Sequence, residues 1–199
     1  NALYRGRSTV LLKELATSSV FLNATGKGIS SKRMKDQYII LRSIAFYLLK
    51  KKQDEVLKQN GESIEYKSDM DDFLAKTMIF LNDKASGDLL NNCKQTFCRA
   101  MNNCYNVLGR DAFRFDSESN NRRPINMPLF EVLMYVFSND NLTEDVDFTK
   151  QEVEKFKRTF DHQQMFSGNV DSTINLNERY KLAENLIKQI SDAIKTNHM

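Results

Sequence analysis

Histidine, the side chain most often used as a general base or zinc ligand at neutral pH, occurs only twice in the 199 residues, as His162 and His198. Neither stands at ligand spacing from Cys93, Cys98 or Cys104, so no zinc cluster is spelled out. Hydrolytic chemistry would rest on His162 alone, and a solvated or capping role suits it better. The chain has no P-loop, no Gly-x-Ser-x-Gly elbow and no His-Glu-x-x-His pair. The acidic groups Asp71-Asp72 and Glu144-Asp145-Asp147 fall at expected helix starts or in a loop. There the helix dipole accounts for them without a metal. These residues predict no catalytic side chain, no metal and no cofactor in this chain.

Cationic side chains carry more information. The net charge is only +3, but residues 1–52 hold eleven Lys and Arg against two acids, a net of +9. Residues 53–199 hold eighteen against twenty-four, a net of −6. The cations cluster as Arg5 and Arg7, as Lys32, Arg33 and Lys35, and as Lys50, Lys51 and Lys52. Such a region suits nucleic-acid phosphates. It equally suits an acidic partner domain, or a solvated surface.

Arg42 is a separate case, because it interrupts the apolar run Tyr38 to Leu49. An unpaired charge there would cost several kcal/mol. It must either find an acid or reach water along its aliphatic stem. Glu131, alone among the apolar residues 129–137, is the expected partner.

The elements that would position these groups are read from helical periodicity, which recurs almost everywhere. A first helix is expected over 8–22 with Val10, Leu11, Leu15 and Phe21 inward, followed by a loop over 23–32. The second, central and apolar nearly all round, spans about 33–58. Ser68 with Asp71 reads as a capping box for a third. A fourth runs from Asp88 to Leu108 and stops at Gly109, and 116–123 is a polar loop. Pro128 opens a fifth helix over 129–137. Thr149 with Glu152 opens a sixth, reaching Phe160, and Asn175 with Glu178 a last, with Leu182, Leu186, Ile187, Ile190 and Ile194 on one side. The result is a single all-α domain of about seven helices in an irregular orthogonal bundle.

Composition agrees. Seven Gly and two Pro in 199 residues fall far below the usual share of about 12%, which disfavours turn-rich β architectures and glycine-rich phosphate loops. Thirteen Phe and seven Tyr can fill a core. The three cysteines form no C-x-x-C pair, and on one helix Cys93 and Cys104 would lie about 16 Å apart, beyond the reach of a disulfide. No segment approaches about 18 uninterrupted apolar residues. The sequons at Asn23 and Asn141 read as chance in an Asn-rich chain without a signal peptide. A cytoplasmic protein with no membrane partner is expected.

Five stretches, in order, carry a resemblance. They are Ala2-Leu-Tyr-Arg5-Gly6, Arg33-Met-Lys-Asp-Gln-Tyr-Ile-Ile-Leu-Arg42-Ser-Ile-Ala-Phe46, Asp72-Phe-Leu-Ala-Lys-Thr-Met78, Arg123-Pro-Ile-Asn126-Met-Pro-Leu-Phe130-Glu131, and Ser172-Thr173 ahead of Arg179. Together they resemble the helical half of GmrSD-like, ParB/sulfiredoxin-related proteins, bacterial defence proteins associated with restriction of modified DNA. The resemblance implies that an N-terminal α/β domain, bearing an acidic-Gly-Gln-Gln-Arg nucleotide motif, belongs before residue 1. That motif and the family's His-containing nuclease domain do not occur in this sequence. The missing domain is the implied partner, with DNA a further one. Arg33, Arg42, Arg123, Asn126 and Glu131 match as scaffold or domain-interface residues. The reading from a different class is a helical protein–protein scaffold with no nucleic-acid role.

Overall fold

The computed structural model describes residues 5–51, 64–117, 121–162 and 169–197. Among them are eight α-helices and no strand. The helices are α1 (Arg7–Thr17), α2 (Ser19–Ala24), α3 (Lys35–Lys51) and α4 (Met70–Asp83), then α5 (Gly87–Leu108), α6 (Met127–Val136), α7 (Val146–His162) and α8 (Thr173–Asn197). Short 3₁₀ turns occupy Lys32–Met34, Gly109–Asp111 and Asp140–Thr143. The all-helical expectation holds, with eight helices in place of about seven.

The extra helix comes from a break in the first. Ser18 adopts an extended ψ of 143° and its hydroxyl accepts from Phe21 N, so it caps α2. The same hydroxyl donates 2.6 Å to Leu15 O, closing off α1. Serine offers the backbone an alternative to the helical ladder, and here it takes that role. Val10, expected inward, is 66% exposed, because Ser8, Leu11, Leu12 and Leu15 make the buried stripe of α1.

Other helix starts move for similar reasons. Arg33 has φ 55° and Met34 φ 56°, so the helix expected from Arg33 begins at Lys35; the expected continuation over 52–58 lies outside the described residues. Ser68, with φ 63°, does not cap α4. Its neighbour Asp69 does, accepting from Asp72 N at 3.0 Å. Helix α7 starts before Thr149. Asp145 accepts from Phe148 N at 2.9 Å, while the buried Thr149 hydroxyl donates to Leu142 O at 2.6 Å. Helix α8 starts at Thr173, with Ser172 accepting from Asn175 N. Gly109 ends α5 at φ 69°, as expected of a C-terminal glycine.

Two helices hold the centre. Helix α3 buries every residue from Ile39 to Phe46, and α6 every residue from Pro128 to Val136. They pack on one another; α1 and α4 lie on α3, α8 on α6, and α2 on α5. Phe46 packs with Phe73 at 5.1 Å, Tyr66 at 5.6 Å and Tyr180 at 5.7 Å between ring centroids, tying α3, α4 and α8 together. Phe130 bridges Phe113 at 4.4 Å and Phe21 at 6.4 Å. Each such fully buried ring contributes about 1.5–3 kcal/mol relative to exposure.

Candidate functional site

Helices α3 and α6 meet at a buried charge network. Arg42 Nε donates to Glu131 Oε1, with side chains 3% and 0% exposed. The rest of the guanidinium is spread outward: Nη2 lies 2.7 Å from Asp171 Oδ1, and Nη1 lies 3.2 Å from Asp171 Oδ2 and 3.3 Å from the Tyr38 hydroxyl. Arg42 therefore does not reach water along its stem. A second buried cation faces the same carboxylate, Arg179 Nη2 standing 3.8 Å from Glu131 Oε2 while its Nη1 donates 2.5 Å to Val170 O. The Tyr66 hydroxyl donates to Asp171 O.

Burial alone pulls the Arg42 guanidinium down, but the charges and hydrogen bonds of Glu131 and Asp171 outweigh it and hold it above its ordinary value. Burial pushes the Glu131 carboxyl up, against the pull of Arg42 and Arg179. Burial, helped by the Asp171 charge, pushes the Tyr66 phenol up to about 12. The Glu131 carboxylate is sealed from solvent, with Oε1 bonded by Arg42 and Oε2 left without a hydrogen bond. Its chemistry is to fix α3, α6 and α8 to one another.

Arg123 and Asn126, which the resemblance matches as scaffold or domain-interface residues, lie apart from this network. Asn126 caps α6, accepting from Leu129 N at 2.9 Å. Arg123 forms a two-bonded pair with Asp161 of α7, at 2.5 and 2.9 Å, and its guanidinium lies 5.1 Å over the Phe115 ring. Sequence position relative to Pro124 gives no hint of that direction.

Three cations of the basic N-terminal region make contacts within the fold. Arg7 bonds carbonyls at and just beyond the C-terminus of α4, with 2.9 Å to Asn82 O and 2.7 Å to Ala85 O. Lys50 lies 5.2 Å over Tyr180 and Lys51 4.9 Å over Tyr135, where Lys51 also donates 2.6 Å to Asn139 Oδ1. Burial pushes both ammonium groups down, with Glu184 opposing. These three cations are thus engaged within the fold. Arg7 and Lys51 remain exposed despite these contacts; Arg5, Lys32, Arg33 and Lys35 are exposed too and make no ion pair among the described residues. Lys35 and Lys51 stand about 24 Å apart along α3. Lys52 and His198 lie outside the described residues, as does the His162 side chain.

A further group was not expected from the sequence. After α5 the chain turns through Gly109–Asp111, and residues 108–117 and 121–123 border, with Glu154 and Lys157 of α7, a cleft of about 250 Å³. Four cations line it, Arg114, Arg122, Arg123 and Lys157, with the carboxylates of Asp111, Asp116 and Glu154. Arg122 is held by Asp111, Nε to Oδ1 at 2.6 Å. Arg114 is 10% exposed; Nη1 donates to Arg123 O, while Nε stands 3.5 Å from Asp111 Oδ1 and makes no hydrogen bond. Burial and the neighbouring Arg122 cation push this guanidinium below its ordinary value. Lys157, 5% exposed, lies 3.3 Å from Glu154 Oε1. The available signal was periodicity: Lys157 falls in phase with Val153 and Phe160, as Arg179 does with Leu176 and Ala183.

Among the described residues no group of His, Cys, Asp and Glu could hold a metal, and no helix is long and apolar enough to cross a membrane. Cys93, Cys98 and Cys104 form no disulfide. The chain matches no protein-family model, no curated protein and no solved structure.

Proposed function

We propose that this chain is the non-catalytic helical module of a GmrSD-like restriction or defence protein. It docks an α/β nucleotide-handling domain through its N-terminal cations and contributes phosphate contacts to DNA. Five ordered sequence stretches support the family reading. The observation that carries the docking role is the exposed turn Lys32–Met34 and its neighbour Lys35, which present three cations around Met34, itself 42% exposed. The cytoplasm is the corresponding location. No cofactor is assigned to this chain.

The DNA contacts are tested by fluorescence anisotropy of a labelled duplex over a salt series. Replacing Lys32, Arg33 and Lys35 together by Ala should flatten the slope of log K against log salt by about 3. No binding at low salt, or a slope unchanged in the triple variant, sinks the DNA contacts. Docking is tested with the genomic sequence upstream of Asn1. An α/β domain there should co-purify with this chain and be released by Glu at the same three positions. Nucleotide or DNA turnover by this chain alone would end the non-catalytic assignment.

A second reading is favoured by the 42% exposure of Met34, since methionine is enriched at protein interfaces. In it the turn serves an acidic partner protein, with no nucleic-acid role. Co-purification without any duplex binding selects this reading.

A further inference from the structure

The cleft between residues 108–117, residues 121–123 and α7 has a property that the exposed cations at Lys32–Lys35 lack: it holds largely buried cations whose nearest carboxylates are not close. The Arg114 and Lys157 side chains are 10% and 5% exposed. Their nearest carboxylates stand at 3.5 Å and 3.3 Å, longer than the roughly 2.7–2.9 Å of a good charge-assisted hydrogen bond. Cations removed from water recover their lost hydration only through close acceptors. Asp111 is already engaged by Arg122 at 2.6 Å. Arg123 is held by Asp161, outside the cleft lining. Arg114 Nε has no acceptor at all.

The cleft is also braced from the opposite side. A Cβ at Gly28 would lie 2.1 Å from Arg114 Nη2, and one at Gly26 would lie 3.2 Å from Arg122 Nη2. Glycines at these two positions let the α2–α3 loop close over the guanidinium groups, which fixes their direction. A volume of about 250 Å³ lies below the roughly 300–1,000 Å³ of sites for drug-sized ligands. It accepts a compact group of high charge density.

We propose that this cleft is an oxyanion site for a phosphate group, bound between Arg114 and Lys157. Arginine offers planar paired donors to phosphate oxygens and lysine a point charge. Two phosphate oxygens replace the stretched contacts to Asp111 and Glu154. The phosphate comes either free, as inorganic phosphate or a phosphomonoester, or from a nucleic-acid backbone. The site is independent of the domain-docking reading, because it shares no residue with Arg5, Lys32, Arg33 or Lys35.

The test uses the chain in a chloride buffer. Isothermal titration with inorganic phosphate should give saturable one-to-one binding, weakened about ten-fold or more in Arg114→Gln and in Lys157→Gln. Lys51→Gln, on the far end of α3, should bind as wild type does. Because Arg114 also supports Arg123 O, a measurement on the unaltered chain stands beside the variants: in a ¹⁵N spectrum, phosphate should shift the Arg114 Nε–Hε resonance. The source is read from a labelled duplex. Displacement of bound duplex by inorganic phosphate assigns a backbone phosphodiester; phosphate binding without duplex binding assigns a free phosphate or phosphomonoester. Absence of saturable phosphate binding, equal affinity in Arg114→Gln and Lys157→Gln, or shifts confined to resonances remote from Arg114 would overturn the site.

Discussion

Arg42 and Glu131, 89 residues apart in sequence, form a buried ion pair joining the two central helices. Removing one partner strands the other in the core. Glu131→Gln should cost about 3–5 kcal/mol in urea unfolding, since both Arg42 and Arg179 lose their shared counter-charge. Arg42→Met should cost a similar amount. The double variant Arg42→Met/Glu131→Gln should cost at least about 1 kcal/mol less than the two singles combined. Single effects that add within about 0.5 kcal/mol would show that the two charges act independently.

Asp171 draws residues 169–172 into the same network, and the Tyr66 hydroxyl donates to Asp171 O. Ser68 Oγ accepts from Thr173 N at 2.8 Å. The Tyr66 phenol is raised to about 12 by burial and Asp171, and the Tyr135 phenol to about 12 by burial and Glu184. Burial raises the Cys104 thiol as well. In each case the unfolded chain releases its proton first, at about 8.5 for the thiol and about 10 for the phenols. The native state holds more protons in that window, so stability falls as pH rises. These contributions are complete below pH ~8.5 for the thiol and ~10 for the phenols, and for Tyr66 and Tyr135 they are lost by about 12. Urea midpoints measured from pH 8 to 11 should decline, with a shallower decline in Tyr66→Phe. Lys50 and Lys51, pushed down by burial, gain stability over part of the same range, so the comparison with Tyr66→Phe decides: a stability difference between the two proteins that does not change as pH rises contradicts the assignment.

The N-cap of α6 is a cheaper feature to break. Asn126→Ala removes the bond to Leu129 N and should destabilise by about 1 kcal/mol. Asn126→Ser should recover most of that loss, because the hydroxyl can still accept. Equal loss in both variants would mean that packing, not capping, decides at this position.

The fold class was legible because apolar residues at helical spacing occupy nearly the whole chain, and the scarcity of Gly and Pro left few other solutions. Boundaries moved wherever side-chain hydroxyls and carboxylates competed for backbone groups, as at Ser18, Asp69, Asp145 and Ser172. Capping pairs can be spotted in sequence, but which of several adjacent candidates takes the cap depends on the φ and ψ that packing imposes. The Arg42–Glu131 pair could be anticipated, since each is an isolated charge in an apolar helix. Its continuation to Asp171 and Arg179 could not, because Asp171 lies in an irregular segment whose path is tertiary. Net charge misled at the N-terminal end. Arg7, Lys50 and Lys51 count as free cations in sequence yet are spent on carbonyls, an amide oxygen and aromatic faces.

That division of labour among the cations gives a direct contrast. Lys50→Ala and Lys51→Ala should leave the salt dependence of duplex binding unchanged, since these ammonium groups face Tyr180 and Tyr135. Each should instead lower stability by about 0.5–1 kcal/mol through the lost cation–π contact. The combined Ala variant at Lys32, Arg33 and Lys35 should do the reverse. A reduced slope in Lys50→Ala would show that the α3 C-terminus faces the nucleic acid after all.

Gly28 separates backbone need from side-chain need at the arginine cleft. The Cβ of an alanine there would lie 2.1 Å from Arg114 Nη2 and 3.0 Å from Thr25 O. The guanidinium can yield, but Arg114 also donates to Arg123 O, and Arg123 grips Asp161 on α7. Moving Arg114 therefore loosens Arg123 and its pair with Asp161 on α7. Gly28→Ala should cost about 1–3 kcal/mol, as overpacking does, and should displace the Arg114 Nε–Hε resonance. The loss should shrink in Gly28→Ala/Arg114→Ala, where the clashing group is gone. If the double variant loses as much stability as the two single changes combined, the clash with Thr25 O governs the position instead, and the loop owes its glycine to the backbone alone.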